Sequence, residues 1–414
     1  MRVLVIGAGI GGLTLAHALR HAGIDVAVYD RDPAAEATGG YRLRLDDRAC
    51  DVLARHLAPA RYQALLASSA GPRSYRRFNV TDHRLRLLFA EPRERGSDNL
   101  LIGRIPLRRL LAGGLGDAVR FGTEFTGHTT GADGVTAHFA DGTRARGDVL
   151  VGADGVGSRV AAALASRPTS APAGVCGVAG RTPLTGTEEV PALLETGPAL
   201  AFGPGGVGVF LTKHDPAAGT IVDPAACTEV PAIVESPCVI WGLLAPDEAY
   251  PEGTRGLGGA ALIGVADGLL DGWSETLRAL VRSADPEWAA YFRFHAADPD
   301  GDLTPWPAGP VTAIGDAVHA MPPTGGQAAI TAIRDADMLA GELVRAAAGE
   351  STAAMAVHRY QQRMAGYAAA AVRESLQPLT WTRRLAGPAG TRIARVALPA
   401  MAGLRRVLVG ARGA

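Results

Sequence analysis

The first thirty residues follow a strand, turn, helix, strand pattern. Residues 2–7 (RVLVIG) are apolar and rich in β-branched side chains, which is typical of a buried strand. A helical pattern follows from about Leu13 to His21 and ends at Gly23, and Val26 to Tyr29 again has strand character. This order predicts a βαβ unit with parallel strands at the start of the chain.

The pattern changes character further along the chain. Two strand-like segments with a turn between them predict an antiparallel excursion from about Ser74 to Phe89, and Asp148 to Val151 predicts another strand. Residues 170–295 are rich in Gly and Pro and contain strand-like pieces such as GVGVFLT and CVIWGLL, so they predict a separate sheet. The strand VTAIGDA follows. Ala-rich helical sequence then runs from about Ala328 to beyond Arg373.

Composition and charge narrow the class of partner. The chain has 414 residues and a formal net charge of zero, so nothing favours binding to nucleic acid or to an anionic membrane. A small molecule is therefore the expected partner. The length suggests two or three packed units, enough to enclose a cofactor.

The cysteines and the hydropathy pattern indicate the compartment. Cys50, Cys176, Cys227 and Cys238 form no CxxC pair and have no metal-ligand spacing. We expect reduced thiols, no metal and a cytoplasmic protein. Neither a membrane span nor a signal peptide is expected, because no apolar run approaches the about 20 residues of a membrane helix and strand-like sequence begins at residue 2.

The first chemical signal is GAGIGG, Gly7 to Gly12, between the first strand and the helix. Gly7 allows a tight turn, Gly9 lets the backbone approach a diphosphate, and Gly12 permits close packing of helix on strand. Asp30 follows Gly12 by 18 residues, near the about 20 expected for a carboxylate that binds ribose hydroxyls. The motif predicts dinucleotide binding at a helix N-terminus, although an ordinary tight turn also uses such glycines. By itself it does not separate NAD from FAD.

Three later segments distinguish an FAD-binding protein from an NAD-binding one. They are GRIPLRRLL with Arg104, DVLVGADGVGSRV with Asp154, and GDAVHAMPPTGG with Gly315 and Asp316. In order and separation, over essentially the whole chain, the sequence resembles the class A flavoprotein monooxygenases of the p-hydroxybenzoate hydroxylase type. The resemblance implies that Arg104 contacts FAD, that the Asp154 stretch supports FAD and passing NADH or NADPH, and that Asp316 binds the ribityl chain. Taken alone, Asp154 and Asp316 could equally cap helices or turns.

The resemblance also implies the fold class. This is α/β, with a Rossmann-like FAD-binding domain interleaved with a mixed or antiparallel β-sheet substrate domain and C-terminal helices, as in p-hydroxybenzoate hydroxylase. The FAD-binding domain is expected to be discontinuous, over residues 1–73, 98–169 and 296–345. Residues 74–97 and 170–295 are expected to form the substrate-binding sheet, and residues 346–414 the C-terminal helices.

The segment after GDAVH suits the anionic edge of a reduced flavin. Pro322 and Pro323 stiffen a loop, and Thr324 to Gly326 offer backbone N–H groups without bulky side chains before a helix starts. We expect the pyrimidine ring of the flavin here. Members of the family usually have Gly and Asn where this chain has Ala328 and Ile330. Ile330 cannot supply the polar contact that the asparagine makes to the flavin edge. We therefore expect this departure to affect the redox turnover of the flavin.

Candidate site residues fall into two groups. The cofactor group is Gly7, Gly9, Gly12, Asp30, Arg31, Arg42, Arg44, Arg104, Asp154, Gly315, Asp316, Pro323, Gly325, Gly326, Gln327 and Ala328. If strand alternation holds in the second sheet, the substrate pocket is lined by Arg181, Phe202, Phe210, Trp241 and Pro322. Core packing is an equally open reading of these aromatics.

Two further readings stay open. The stretch GGYRLRL, with Tyr41, Arg42 and Arg44, is similar to the one that passes the flavin in the family, and a solvated face is the alternative for its arginines. We expect His319 to be a structural histidine bonded to the backbone. The sequence singles out no catalytic acid or base.

The function implied by the resemblance is that of an FAD-dependent monooxygenase. NADH or NADPH would reduce FAD, and O2 would form a flavin C4a-hydroperoxide. Its distal oxygen would hydroxylate or epoxidise an aromatic, indolic or polyketide-like molecule in specialised-metabolite biosynthesis. The alternative is an FAD-containing non-redox cyclase on the same scaffold. A plain NAD-dependent dehydrogenase is disfavoured by the Gly315–Asp316 segment, and we expect a monomer or a homodimer.

Overall fold

The computed structural model describes residues 1–39, 42–71, 75–92, 99–132, 134–185, 189–215 and 219–385. The strands are β1 (Arg2–Ile6), β2 (Asp25–Tyr29), β3 (Arg42–Leu45), β4 (Arg77–Asp82), β5 (Leu87–Pro92), β6 (Leu100–Gly103), β7 (Val119–Arg120), β8 (Phe125–Gly131), β9 (Gly134–Phe139), β10 (Arg144–Gly147), β11 (Val149–Gly152), β12 (Ala171–Pro183), β13 (Ala199–Phe202), β14 (Gly208–His214), β15 (Cys238–Pro246), β16 (Ala290–Ala296) and β17 (Val311–Ala313). The helices are α1 (Ile10–His21), α2 (Asp47–His56), α3 (Pro59–Ala67), α4 (Arg104–Gly113), α5 (Arg159–Ala165), α6 (Gly259–Leu269), α7 (Glu275–Arg282), α8 (Asp316–His319), α9 (Ala328–Ala347) and α10 (Ala353–Leu385).

A five-stranded parallel sheet forms the first layer, in the order β17-β11-β1-β2-β7. In β1 every residue after Arg2 is buried, as expected of a parallel strand covered on both faces. Val3 and Val5 pack into the core with α1 and α9, whereas Leu4 and Ile6 pack toward the small sheet β10-β9-β8. The predicted βαβ start is therefore confirmed. Its helix begins earlier than predicted, directly after the glycines.

A seven-stranded sheet forms the second layer, in the order β16-β12-β15-β14-β13-β4-β5. Its neighbouring strands are antiparallel except for β13 and β4, which are parallel. Residues of α6 and α7 share an apolar core with one face of this sheet. The other face lies across a cavity from β3 and β6, which pair with each other. This arrangement places the second sheet over the nucleotide-binding unit.

The Ala-rich sequence divides into two helices, α9 and α10. Gly349 adopts a φ of 80°, a left-handed conformation that commonly follows a helix end, and α10 then packs back on α9. A second contact connects α10 to the loop before α9, where Thr324 Oγ1 donates to Ser375 O at 2.5 Å. The C-terminal helices are thus in contact with the loop after α8.

The structure confirms the predicted fold class, a Rossmann-like unit interleaved with a mixed sheet and followed by helices. The exact domain limits stay a prediction, and residues 386–414 lie outside the described residues. Within the described ranges, no helix combines the length and the apolar character needed to cross a bilayer. The four cysteines are free thiols, three of them buried.

Candidate active site

The glycine turn after β1 leaves room for a ligand and presents a helix end to it. Gly7 has a φ of 110°, and a Cβ at this position would clash with the carbonyl oxygen of Ala153. A Cβ at Gly12 would clash with the carbonyl oxygen of Gly7, so only glycine lets α1 approach β1 this closely. Gly9 occupies the N-cap of α1. The N–H groups of a first helical turn suit a diphosphate.

Asp30 follows β2 beside this turn and is held by an arginine. Its Oδ2 accepts from Ala8 N at 2.5 Å and from Arg108 Nη2 at 3.2 Å, and its Oδ1 accepts from Asp32 N at 2.8 Å. Arg108 also donates to Ala8 O at 2.8 Å and pairs with Asp32 at 2.7 Å. Sequence reasoning missed Arg108. The signal was its spacing of four residues from Arg104, which places both on one face of α4.

A cleft lies between this turn and the Asp154 segment, lined by Gly7, Asp30, Arg31, Asp154 and Arg159 among others. Asp154 accepts from Ser158 Oγ at 2.5 Å and from Arg159 N at 2.8 Å, and so caps the start of α5. Burial raises the pKa of Asp154. This residue therefore combines the capping role that the sequence left open with a place on the cleft wall.

A third carboxylate, Asp316, lies where β17 leads into α8. Gly315 has φ 63° and ψ −145°, which suits glycine alone, and its N–H donates to Asp335 Oδ2 at 2.8 Å. Asp316 Oδ1 is buried and has no hydrogen-bond partner among the described residues. Burial raises the pKa of Asp316, while His319 and Arg104 oppose the shift. A buried acceptor without a donor fits a ligand that carries hydroxyl groups.

A buried network lies behind the Gly315–Asp316 turn. The structure corrects the expectation for His319: its Nε2 lies 2.6 Å from Asp335 Oδ2 rather than against the backbone, and both side chains are 0% exposed. Tyr367 donates to Asp335 Oδ1 at 2.5 Å. Burial opposes protonation of His319, but the neighbouring Asp335 carboxylate raises the pKa of the imidazole above its ordinary value. Asp335 and Tyr367 lie on separate helices, α9 and α10. No local sequence motif could therefore predict that they meet His319.

The loop of residues 322–326 runs between β3 and α10. Besides the bond from Thr324 to Ser375, Gln327 Nε2 donates to Glu374 Oε1 at 3.1 Å. On the other side, Arg44 Nε lies 3.7 Å from the place where a Cβ of Gly326 would be. The loop is therefore supported by the C-terminal helix and stands close to an arginine of β3.

A cavity of about 200 Å³ lies between this loop and the seven-stranded sheet. Apolar side chains of five strands form most of its wall: Phe78, Leu200, Phe210, Ile240, Phe292 and Phe294. Its polar side chains include Arg42, Arg44, Thr212 and Thr324. The cavity can therefore take a flat apolar molecule beside the loop.

The residues predicted for the substrate pocket lie in different places. Phe210 lines the cavity, whereas Phe202 is 5% exposed and packs in a small apolar cluster beside it. Trp241 lies along the cavity floor, but its indole is fully buried in the core shared with α6 and α7. Arg181 is paired with a loop carboxylate, and Pro322 is buried at the start of the loop. Of the five, Phe210 is the side chain best placed to meet a ligand.

Arg42 belongs to the cavity rather than to a solvated face. Its Nη1 donates to Thr212 Oγ1 at 3.0 Å and to Lys213 O at 2.5 Å, both on β14. Its Nε and Nη2 are buried and have no hydrogen-bond partner among the described residues. Tyr41, the neighbouring candidate, lies outside the described residues.

Comparison with known proteins identifies the family. Residues 1–200 and 284–375 match the family model described as FAD binding domain. A dual O-methyltransferase/FAD-dependent monooxygenase CTB3 of Cercospora beticola is 30% identical over 83% of this chain. The 3-amino-4-hydroxybenzoate 2-monooxygenase PtmB3 of Streptomyces platensis is 30% identical over 87% of this chain and 83% of its own length. The chain belongs to the class A flavoprotein monooxygenases.

Solved structures agree with this assignment. A putative FAD-containing monooxygenase from Photorhabdus luminescens superposes on this chain with a TM-score of 0.77. The two are 27% identical over 92% of this chain and 97% of that one. Klebsiella pneumoniae HpxO, solved with FAD and uric acid, has the same fold with a TM-score of 0.76, at 24% identity over 99% of this chain and 95% of that one. The chain spans 42% of the length of the Cercospora relative, less than half of that protein.

FAD is the cofactor of this family, and the flavoprotein brings its predicted cofactor residues together in two places. Gly7, Asp30, Arg31 and Asp154 line the cleft beside α1. Arg42, Arg44, Pro323, Gly325 and Gly326 line the cavity. Asp316, with its unpartnered oxygen, follows β17 next to β11 and β1 in the same parallel sheet. The individual role of each residue stays a prediction.

Proposed function

We propose that this flavoprotein uses NADH or NADPH and O2 to hydroxylate or epoxidise an aromatic, indolic or polyketide-like small molecule. The observation that carries the proposal is the apolar cavity that ends on the loop of residues 322–326. Its phenylalanines exclude water from a cofactor beside that loop, and oxygen transfer needs a dry site because a wet one loses the reducing equivalents as hydrogen peroxide. The aromatic substrate named for the Streptomyces relative supports the same substrate class.

Three groups of residues are proposed to hold FAD. The N–H groups at the start of α1, behind Gly7 and Gly9, would bind the diphosphate. The Asp30 carboxylate, oriented by Arg108, would meet the ribose hydroxyls of the adenosine half. Asp316 Oδ1 would accept from a hydroxyl of the ribityl chain, which would satisfy a buried side-chain oxygen that has no donor among the described residues.

The loop of residues 322–326 and the seven-stranded sheet would have different roles beside the flavin ring. The Thr324 to Gly326 backbone would face the pyrimidine edge of the flavin, where the N–H groups of Thr324 and Gly325 would stabilise negative charge, since that of Gly326 donates to Pro323 O. Phe210 and the other apolar residues of the sheet would orient the acceptor molecule. Bound FAD would supply the electron transfer and the O2 chemistry, for which protein side chains have no substitute.

A second candidate function is that of an FAD-containing cyclase without redox turnover. The specific observation is Ile330, which is 6% exposed and packs in the main core where the family usually has asparagine. Ile330 offers no hydrogen bond to a flavin edge. This reading predicts a product that is isomeric with its substrate and that forms without nicotinamide.

One experiment separates these functions. Holoenzyme is incubated with labelled O2, NADPH and candidate acceptors that start with 3-amino-4-hydroxybenzoate, and the product mass is compared with that of an anaerobic reaction. We expect substrate-stimulated NADPH oxidation and one labelled oxygen atom in the product. An unlabelled isomer that forms at full rate in the anaerobic reaction would contradict the monooxygenase function and establish the cyclase.

A further inference from the structure

The cavity changes from apolar to polar along one strand of its floor. Phe210 and Thr212, alternate residues of β14, both line the cavity, and His214 continues the same row at the end of the strand. Thr212 accepts from Arg42 there. The Arg42 guanidinium therefore lies at the end of the cavity that is next to the last residues of β14.

The Arg42 guanidinium is only partly satisfied at this position. Nη1 makes both of the bonds to β14, while Nε and Nη2 are buried without a partner among the described residues. Burial lowers the pKa of Arg42 to about 10, so the group is still positively charged at neutral pH. Buried donors of a charged group are costly when they are unmatched, so an acceptor supplied by a ligand would be strongly favoured.

The neighbouring carboxylate, Glu235, is already paired with Arg181 and lies beside His214, whose pKa is lowered by burial. Glu235 lies 3.4 Å from Arg181 Nη1 and 3.0 Å from His214 Nε2. Burial opposes its ionisation, yet His214 and Arg181, with a smaller contribution from Arg42, lower the pKa of Glu235 below its ordinary value. Asp215 also acts on Arg42 electrostatically. Since Arg42 Nε and Nη2 have no hydrogen-bond partner among the described residues, these two atoms can donate to an anionic ligand.

We propose that Arg42 recognises an acidic oxygen of the substrate, a carboxylate or an ionised hydroxyl, while the apolar body of the substrate lies against the phenylalanines of the sheet. This inference rests on the proposed function and names the class of its substrate: flat apolar molecules with one anionic group. It also changes the expected role of Arg42 from a cofactor contact to a determinant of specificity.

A matched pair of probes tests this proposal without turnover. Holoenzyme is titrated with 2-naphthoate and with 2-naphthamide, which share ring and size but differ in charge, and binding is followed by the perturbation of the flavin absorbance. We expect wild type to bind the naphthoate about 10- to 100-fold more tightly than the amide, which is the range of a charge-assisted bond. Arg42→Met should bind the two probes within about twofold of each other, because the naphthoate loses a charge-assisted bond and the amide at most a weaker neutral one.

Two variants control the test. Arg293→Met makes the same substitution on β16, where Arg293 lies between two cavity-lining phenylalanines and pairs with Asp247 instead, and it should retain the preference for naphthoate. Arg42→Lys keeps the charge but loses the planar fork, so it should retain part of the preference. If Arg42→Met does not fold, Arg42→Lys tests the proposal in its place.

Two outcomes would overturn the proposal: equal binding of both probes by wild type, or a full preference that survives in Arg42→Met. Binding is measured without NADPH or O2, so a failure of oxygen transfer leaves this result standing. Conversely, if wild type binds both probes equally but still inserts oxygen, the role of Arg42 is overturned and the proposed function stands.

Discussion

At the scale of single residues, the three aspartates that the motifs singled out differ in their hydrogen-bond partners. Asp30 is paired with Arg108, Asp154 caps α5, and Asp316 alone keeps a buried oxygen without a donor among the described residues. An unmatched buried carboxylate is unfavourable in the protein without ligand, and a hydroxyl donor removes that penalty. Of the three, Asp316 is therefore the residue that we expect to gain most from bound FAD and least from folding alone.

This difference predicts the behaviour of Asp316→Ala. The substitution removes a charge-assisted acceptor worth about 1.5 to 3 kcal/mol toward the cofactor, so the dissociation constant of FAD should rise about 10- to 100-fold. The free energy of unfolding of the apoprotein should be unchanged or higher, because an unmatched buried charge is lost. Fluorescence titration with FAD and urea unfolding measure the two quantities. Asp117→Ala, at an exposed site in the same unit, is the control, and unchanged FAD affinity in Asp316→Ala would assign the residue to the turn alone.

At the scale of elements, one buried ion pair connects three helices behind the flavin site. His319 of α8 pairs with Asp335 of α9, and Tyr367 of α10 donates to the same carboxylate. Asp335 also accepts the N–H of Gly315. Because Gly315, in a conformation that glycine adopts readily, precedes Asp316 directly, this network holds the turn that presents the Asp316 carboxylate.

The pair predicts a stability component that depends on pH. The pKa of His319 is raised in the folded protein, so its contribution is complete below the unfolded value of about 6.5 and is lost as the pH rises through the folded pKa. The free energy of unfolding of wild-type apoprotein should therefore fall above about pH 6.5. The double variant His319→Gln/Asp335→Asn should lack this component. Urea unfolding between about pH 6 and 9 measures it.

Two further variants complete the comparison. His358→Gln, at an exposed position of α10, should follow the wild-type pH profile. The single change His319→Gln should cost about 3 to 5 kcal/mol, because it leaves the Asp335 charge buried and unmatched. An identical pH profile for wild type and the double variant would show that folding does not raise the pKa of His319.

At the scale of the whole molecule, the two units are built from alternating parts of the chain. The chain leaves the parallel sheet for β4 and β5, returns through β6 to β11, leaves again for β12 to β16, and ends on β17 and the last helices. The predicted cofactor residues are distributed over several of these parts, since Gly7 precedes α1 and Asp316 follows β17. Folding of the site therefore requires folding of the whole.

This topology predicts that FAD stabilises both units together. At a concentration of FAD about 100 times its dissociation constant, binding adds about 2.7 kcal/mol, or roughly 3 to 8 °C in the midpoint of thermal unfolding. Tryptophan fluorescence, to which Trp241 of the second sheet and Trp306 of the main core both contribute, and release of flavin fluorescence should change in one transition. FMN lacks the adenosine half and should stabilise much less. Two separate transitions would show that the units unfold independently.

The sequence by itself determined the features whose cause is local. Gly7 has a φ of 110°, and a Cβ at Gly12 would collide with Gly7 O within the same turn; the order of strand, turn and helix predicted the βαβ start, and the motifs carried the family resemblance that implied the α/β fold class. The sequence also predicted the stiff loop at Pro322 and Pro323. Only the tertiary structure decided which partners these segments meet. Arg108 with Asp30, and Arg42 with β14, are far apart in sequence, and a side chain's direction depends on the strand or helix that packs against it.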